Sequence, residues 1–153
     1  MERVSVDDVS SHRSTASAKR PLGEALGVEG FALNHYVLQP GESFSTNLHT
    51  HLDQEEVFYV LEGTATFETD DGEFELSAGE LVRFAPGEYQ HGYNDGDRRV
   101  VGLALGAPRE SEDGRIECPA CGAREPPEIE WTDDREAIVF RCGDCGAEIN
   151  RMT

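Results

Sequence analysis

The chain has 153 residues, enough for one domain of ordinary size and a small accessory unit, but not for two full domains. It carries 31 acidic residues against 13 basic ones, a net charge of −18, and Lys19 is its only lysine. Such an acidic surface repels phosphate groups, which excludes nucleic acids and anionic lipid surfaces as partners.

The composition also bears on the environment of the protein. Abundant Asp and Glu, with arginine used in place of lysine, resemble the proteins of salt-loving archaea, in which high net charge is an adaptation to salt. An ordinary acidic cytosolic protein is the alternative. No segment has the apolar core of a signal peptide or the run of about 18 apolar residues of a membrane span, so we expect a cytoplasmic location.

The N-terminal part begins with a polar segment and continues into a strand. Residues 1–22 are predicted to form a tail with one short strand around Val4–Val6. Apolar and polar residues then alternate over Phe31–Leu38, which predicts a half-buried strand. His35 and Tyr36 lie in the middle of it. Both are candidates for lining a pocket, although a partly buried histidine more often makes a structural hydrogen bond.

The segment Gly41–Gly63 contains a candidate metal site. Residues at i and i+2 of a strand face the same side, so His49 and His51 can aim their rings at one point. Glu56 follows, just before the apolar run Val57–Leu61, which predicts a buried strand. Two imidazoles and a carboxylate are a ligand set suited to Fe, Mn, Ni or Zn, with coordination positions left open for substrate.

Short strands are predicted over the next part of the chain. Turn residues such as Asp70-Asp71-Gly72 separate them. They cover Thr64–Thr69, Glu73–Ser77, Leu81–Phe84 and Val100–Leu105. Many short strands with turns every eight to twelve residues or so, and no long helical period, predict an all-β sandwich or barrel.

At these positions the chain resembles the cupin family. The first cupin motif has two histidines separated by one residue, then a glutamate and a glycine, and it is matched by His49, His51, Glu56 and Gly63. The chain differs from the motif before the histidines, because seven residues rather than five separate Gly41 from His49. We interpret this difference as a two-residue loop insertion. Glu55 is the alternative carboxylate, but its spacing to the glycine fits the motif less well.

The second cupin motif has a looser counterpart at Gly79, the Pro86-Gly87 turn and Asn94. The place of its histidine is taken by Gln90, and His91 follows one residue later. Both motifs together extend the resemblance over about residues 30 to 107. It implies a double-stranded β-helix, the cupin or jelly-roll barrel, over residues 23–107 with a divalent metal at its centre.

The resemblance leaves the fourth metal ligand open. Counting from the preceding turn places Gln90 at the ligand position, whereas imidazole is a better ligand for Zn or Fe than an amide oxygen, which favours His91. The two side chains point to opposite faces of a strand, so without a bulge only one can reach the metal. We predict a site formed by His49, His51, Glu56 and Gln90, with His91 as the alternative fourth ligand.

All four cysteines lie in the C-terminal part of the chain. Residues 108–115 are charged and turn-rich, which predicts a linker. The cysteines follow as two C-x-x-C pairs with 20 residues between them, formed by Cys118, Cys121, Cys142 and Cys145. This spacing indicates structural zinc, whereas a disulfide framework needs an oxidising compartment that nothing else indicates. Residues 116–153 resemble a zinc ribbon.

The hairpin of this ribbon is predicted over Glu128–Thr132 and Ala137–Arg141. A unit of about 40 residues cannot bury enough apolar surface alone, so metal binding is expected to supply much of its folding free energy. Acidic residues outnumber arginines there, which disfavours nucleic acid as its partner. Trp131 and Ile138 are expected to pack inside the hairpin, with contact to a partner protein as the alternative.

Two classes of function fit these features. In one, the barrel metal binds a small oxygen-rich metabolite and acts as a Lewis acid or activates dioxygen, with Tyr93 as a further pocket candidate. In the other, the protein is a non-catalytic ligand-binding module whose ribbon contacts a partner protein. The resemblance does not choose, because cupins include dioxygenases, isomerases, storage proteins and regulators. It also implies a homodimer formed by N-terminal strands near Val4–Val9.

Overall fold

Strands make up almost all the regular structure of the computed structural model, which describes residues 1–153. The helical elements are a 3-10 turn at Val6–Asp8 and a single α-helical turn, α1 (Leu22–Ala25). The strands are β1 (Ala18–Arg20), β2 (Ala32–Leu38), β3 (His49–His51), β4 (Glu55–Glu62), β5 (Thr64–Thr69), β6 (Gly72–Ser77), β7 (Leu81–Phe84), β8 (Gln90–Tyr93), β9 (Val100–Ala107), β10 (Gly114–Glu117), β11 (Arg124–Glu125), β12 (Glu128–Trp131), β13 (Ile138–Arg141) and β14 (Glu148–Met152). No helix has the length and apolar character needed to cross a membrane.

Two antiparallel sheets form the barrel. One has the strand order β1-β2-β9-β4-β7 and the other β11-β10-β3-β8-β5-β6. Apolar and polar residues alternate along the strands, so each sheet turns an apolar face towards the other. The core between them consists of Tyr36, Leu38, Phe44, Phe58, Val60, Ala65, Phe67, Leu76, Phe84, Val100 and Ala104.

The size of the inward-facing side chains decides where the barrel is filled and where it is open. The rings of Phe58 and Phe67 lie 5.1 Å apart and occupy the middle of the core. Along β9, the inner positions near the other end are Gly102, Ala104 and Gly106. An added Cβ at Gly106 would lie 2.8 Å from the side chain of Gln54. The absence of a side chain at Gly106 therefore makes room for the Gln54 side chain inside the barrel.

The strands predicted for the barrel are all present, and β5 and β7 have the predicted bounds. The short strand predicted around Val4–Val6 is wrong, because a 3-10 turn begins at Val6 and the chain makes no ladder there. The polar segment 1–22 instead contributes β1, which pairs with β2 as the edge strand of the first sheet.

The C-terminal unit is attached to the barrel by more than a linker. Gly114 and Arg115, the last residues of the predicted linker, begin β10, which pairs with β3. Strands β12, β13 and β14 form a separate three-stranded sheet that contains the predicted hairpin. The Asn150 amide donates to Thr46 Oγ1 over 3.1 Å, and Arg124 pairs with Asp70 at 2.6 Å. The unit therefore lies directly against the barrel.

Candidate metal centres

Strands β3 and β4 bring the three predicted donor side chains together. The Nε2 atom of His49 lies 3.9 Å from Glu56 Oε2, and that of His51 lies 3.8 Å from the same oxygen. All three donor atoms lie within 4.8 Å of one another. Because His and carboxylate ligands bind transition metals at roughly 2.0–2.2 Å, one ion between them fits these separations.

The hydrogen bonding of His49 suits it to metal binding. Its Nδ1 lies 3.0 Å from the carbonyl oxygen of Asn47, so the proton sits on Nδ1 and the lone pair of Nε2 faces the site. Burial, together with the neighbouring His51, lowers the pKa of His49 to about 4, which keeps the imidazole neutral at pH 7. The Nδ1 atom of His51 is buried without a hydrogen-bond partner.

Alternation along β4 selects Glu56 over Glu55. Glu55 faces outward and forms an ion pair with Arg83 at 2.6 Å. Glu56 faces inward, opposite Gly106 of β9 in the strand register. Burial raises the pKa of Glu56, while His51 and the Gln90 amide oppose that shift.

Strand register also turns Gln90 towards the site and His91 away from it. Gln90 pairs with His49 across β8 and β3, is 1% exposed and donates to Glu56 Oε2 over 2.8 Å. Its Oε1 atom is buried without a partner. A half-turn of the amide presents that oxygen to the donor cluster instead. His91 lies on the other face, with Nδ1 3.2 Å from Ser45 Oγ.

The two histidines and Glu56 line a cavity of about 410 Å³, a size suited to a small metabolite. Its other polar side chains include Tyr36, Asn34 and Gln54. Burial, assisted by the charge of Glu56, raises the pKa of Tyr36, so its hydroxyl remains a hydrogen-bond donor at neutral pH.

Cationic side chains outnumber carboxylates in the lining of the cavity, although the protein as a whole is acidic. Lys19, Arg13 and Arg109 line the cavity, whereas Glu56 is its only carboxylate. Burial lowers the pKa of Lys19, and the charge of Glu56 opposes that effect. The residues around the donor cluster therefore differ in charge from the surface of the molecule.

The other two predicted pocket residues lie elsewhere. His35 is outside the cavity lining because it alternates with Tyr36 along β2 and pairs in register with Arg20. Tyr93 is also outside it, and its hydroxyl donates to Glu73 on the outer surface of the second sheet. Of the three pocket candidates, the structure places Tyr36 alone in the cavity.

Several lining residues were not singled out in the sequence. Asn34 lies two residues before Tyr36 on the same strand face, so alternation could have found it. Lys19 carries a signal as the only lysine of the chain. Arg13, Gln54 and Arg109 have no local signal, because loops and long-range contacts bring them to the cavity. The Gln54 amide is held by a bond to the carbonyl oxygen of Pro108 at 2.6 Å.

The four cysteines form a second candidate metal site, away from the barrel cavity. The sulfur atoms of Cys118 and Cys145 lie 3.8 Å apart, and those of Cys121 and Cys142 lie 3.7 Å apart. A tetrahedral site with metal–sulfur bonds of about 2.3 Å has sulfur–sulfur edges of about 3.8 Å. A disulfide needs about 2.05 Å, so all four cysteines are free thiols.

The two cysteine pairs share one backbone conformation. Gly122 and Gly146 have φ values of 74° and 71°, and their N–H groups donate to the carbonyl oxygens of Cys118 and Cys142. Glycine tolerates this left-handed conformation without steric cost. Burial opposes ionisation of Cys118, but bonds from the N–H groups of Ala120 and Cys121 outweigh it and lower the pKa of the thiol to about 7.

Comparisons with known proteins bear on the barrel. Residues 34–106 match the family model described as the cupin domain. No curated protein sequence matches the chain. Among solved structures, a polyketide cyclase from Streptomyces resistomycificus is 25% identical with a TM-score of 0.65, over 80% of this chain and 89% of that one.

Two further solved structures share the fold. A sugar phosphate isomerase of the cupin superfamily from Silicibacter pomeroyi is 22% identical with a TM-score of 0.62, over 96% of this chain and 91% of that one. A predicted oxalate decarboxylase from Thermotoga maritima is 22% identical with a TM-score of 0.59, over 70% of this chain and 99% of that one. The match over residues 34–106 and the shared architecture show that the barrel has the double-stranded β-helix fold of cupin proteins.

Proposed function

We propose that the barrel binds one divalent metal ion through His49, His51 and Glu56, with Gln90 as the fourth side chain at the ion. The ion, Fe, Mn, Ni or Zn, would polarise an oxygen atom of a small oxygen-rich metabolite. The observation that carries this proposal is the convergence of the three donor atoms within 4.8 Å on the wall of a cavity.

The substrate class is supported by the names of similar structures. They are described as a sugar phosphate isomerase, a predicted oxalate decarboxylase and a polyketide cyclase. Sugar phosphates, oxalate and polyketides all carry oxygen atoms that a divalent ion can bind. The polar lining of this cavity is compatible with such compounds.

Metal stoichiometry tests the proposal. Full-length protein stripped with a chelator and reloaded with Zn²⁺ should retain one ion in the barrel and one at the cysteines. His51→Ala should lose the barrel ion, whereas the matched control His91→Ala should keep it because that ring faces away from the site. An unchanged stoichiometry in both His51→Ala and Glu56→Ala would overturn the proposal.

We also infer that the four cysteines hold a structural zinc ion in a ribbon over residues 116–153. Support comes from the sulfur separations of 3.7 and 3.8 Å and from the matching backbone of the two pairs. Small units of this kind depend on the metal for their folding.

A second candidate function is contact with a protein partner through the C-terminal unit that contains the four cysteines, residues 116–153, called the cysteine unit below. It is favoured by Ile129 and Trp131, which are 62% and 59% exposed on β12, an edge strand. Exposed apolar side chains next to each other on one strand face are typical of interaction sites. If this face joins two copies of the chain, sedimentation in molar KCl should detect a dimer that Trp131→Ser dissociates. A monomeric wild-type protein would exclude that form of the contact.

A further inference from the structure

We propose that Lys19 binds an anionic oxygen group, a carboxylate or a phosphate, of the compound held at the barrel site. This inference specifies the substrate class of the proposed function, and it therefore depends on that function. Its starting point is the position of the only lysine of the chain, which lies in the wall of the cavity that contains the donor cluster.

Strand pairing places the Lys19 side chain in the cavity. Lys19 is opposite Tyr36 in the register of β1 and β2, and both residues line the cavity. Its ammonium nitrogen lies 5.7 Å from the centre of the Tyr36 ring. Arg20, the next residue, pairs with His35 and faces the opposite side of the sheet. The lysine is thus directed inward by the same alternation that directs its neighbour outward.

The ammonium group forms no ion pair and no hydrogen bond with the protein, and its contact is with the face of the Tyr36 ring. The hydrogen bonds of this residue are made by its backbone, to Ser11 and His12. The residue is half-buried. A cation that is partly removed from water without a hydrogen-bonded anion is costly, and this cost is offset when an anion binds beside it.

The charge around Lys19 favours an anionic ligand. Glu56 is the only carboxylate in the lining, and a divalent ion bound to it would more than offset its charge. Arg13 and Arg109 lie exposed at the rim, where each donates to a backbone carbonyl oxygen and keeps other N–H groups free. In a molecule of net charge −18, these cations make the cavity the place where an anion is attracted rather than repelled.

Neutral hydrogen-bonding side chains lie beside Lys19 on the same face of the first sheet, on the neighbouring strand β2. Tyr36 and Asn34 both line the cavity, and the side chain of neither residue forms a hydrogen bond with the protein. An ammonium, a phenol and an amide together suit a ligand that places one oxygen at the metal and an anionic group further along. Hydroxy acids, keto acids and sugar phosphates share that chemistry.

Calorimetric titration of the full-length, Zn²⁺-loaded protein tests this role. The probes are glycolate and glycerol 3-phosphate, with ethylene glycol and glycerol as their neutral counterparts. Removing a charge-assisted bond should weaken binding of the preferred anion by about tenfold or more in Lys19→Met, with little change for the neutral compound. Lys19→Arg should retain the preference for the anion. The anion that responds to Lys19 distinguishes a carboxylate ligand from a phosphate ligand.

The matched control is Arg20→Met, which removes a positive charge from the outer face of the same strand and should bind like the wild type. The inference would be overturned if each anion bound Lys19→Met as tightly as it binds the wild type. It would also be overturned if Arg20→Met lost as much affinity as Lys19→Met, or if the wild type bound neither anion. Metal content and the melting curve of each variant are measured first. A barrel that takes no metal contradicts the proposed function, and titration of the metal-free protein then still tests Lys19.

Discussion

Gln90 and His91 illustrate how the direction of one side chain sets the chemistry of the barrel site. The register of β3 and β8 pairs Gln90 with His49, and no bulge interrupts β8. The Gln90 amide therefore lies beside the donor cluster, and the His91 imidazole lies against Ser45. A weak fourth ligand leaves more of the ion open to a substrate than a third histidine would.

Replacing Gln90 by histidine is expected to tighten barrel-metal binding by roughly tenfold, because imidazole is the better ligand for Zn²⁺. Competition titration against a chromogenic chelator measures the affinity. His91→Ala should leave the affinity unchanged. A large loss in His91→Ala, with no gain in Gln90→His, would mean that His91 rather than Gln90 reaches the ion.

Gly63 carries a second residue-scale prediction. Its φ of 80° lies in the left-handed region, and an added Cβ would come within 2.5 Å of the carbonyl oxygen of Arg99. Gly63→Ala should therefore lower the free energy of unfolding by about 1–3 kcal/mol. Gly30→Ala is the matched control, since nothing lies within 4 Å of its added Cβ. Equal denaturant midpoints for the two variants would contradict the prediction.

At the scale of elements, β1 depends on one carboxylate for its position. Glu42, in the loop after β2, accepts bonds of 2.7 Å from the Ser17 hydroxyl, the Ser17 N–H and the Gln39 N–H. Ser17 immediately precedes β1. Glu42 thereby ties the strand that carries Lys19 to the end of β2.

The hydrogen bonds that Glu42 accepts should weaken in acid. Burial alone would raise the pKa of Glu42, but its hydrogen bonds to Gln39 and Ser17 lower it below the ordinary value of 4.5. A lowered folded-state pKa means that the carboxylate stabilises the fold above about pH 4.5, and that this contribution is lost as the pH falls through the folded-state value. The protection of the β1 amides, measured as the ratio of the intrinsic to the observed hydrogen-exchange rate at each pH, should therefore fall in acid. In Glu42→Gln this protection should already be low at neutral pH, and equal β1 protection in wild type and variant would contradict the assignment.

The cysteine unit shows a second dependence between elements. Strand β10 extends the second barrel sheet beside β3, and Ile116 of β10 and Met152 of β14 line the barrel cavity. The unit is therefore part of the wall of the candidate site, although its own sheet is separate.

Removing one thiolate tests the structural role of its metal. Cys142→Ser should lose the zinc ion and raise hydrogen exchange throughout β12, β13 and β14, while β2, β4 and β9 stay protected, because four ligands organise the unit together. Asp144→Ala, between the same two cysteines, is the matched control. Unchanged exchange in β13 after metal loss would show that the unit folds without the ion.

At the scale of the whole molecule, the dominant feature is a net charge of −18. The ion pairs of the structure, such as Arg99–Glu62 at 2.9 Å, lie on the surface, where each contributes little. Screening therefore removes more repulsion than attraction. At 1 M salt the Debye length falls to about 3 Å, so the charges act over short distances only.

Stability should accordingly rise with KCl. The melting temperature is expected to increase steadily from low salt to molar KCl, and sorbitol at matched osmolality should raise it less, because it does not screen charge. A melting temperature that is independent of KCl would contradict the halophilic interpretation of the composition.

The local pattern of the chain was enough to predict most of the barrel and its donors. Alternation and turn residues depend on neighbours in sequence, so most strands from Phe31 to Leu105 could be located in advance, although β3 and β8 were given no bounds. The shared direction of His49 and His51 likewise follows from the strand period of two, whereas Glu56 comes from the next strand, β4. The C-x-x-C pairs predicted the cysteine cluster for the same reason, because each pair closes within a few residues.

Tertiary structure alone decided what surrounds those donors. Lys19 reaches the cavity because β1 pairs with β2, and Arg109 reaches it because the chain after β9 folds back. No local period encodes either contact. The same holds for β10, which the charged composition of residues 108–115 predicted as part of a linker but which pairs with β3. Pairing between distant segments depends on which edges and faces remain unsatisfied after the local elements have formed, and that is a property of the assembled barrel.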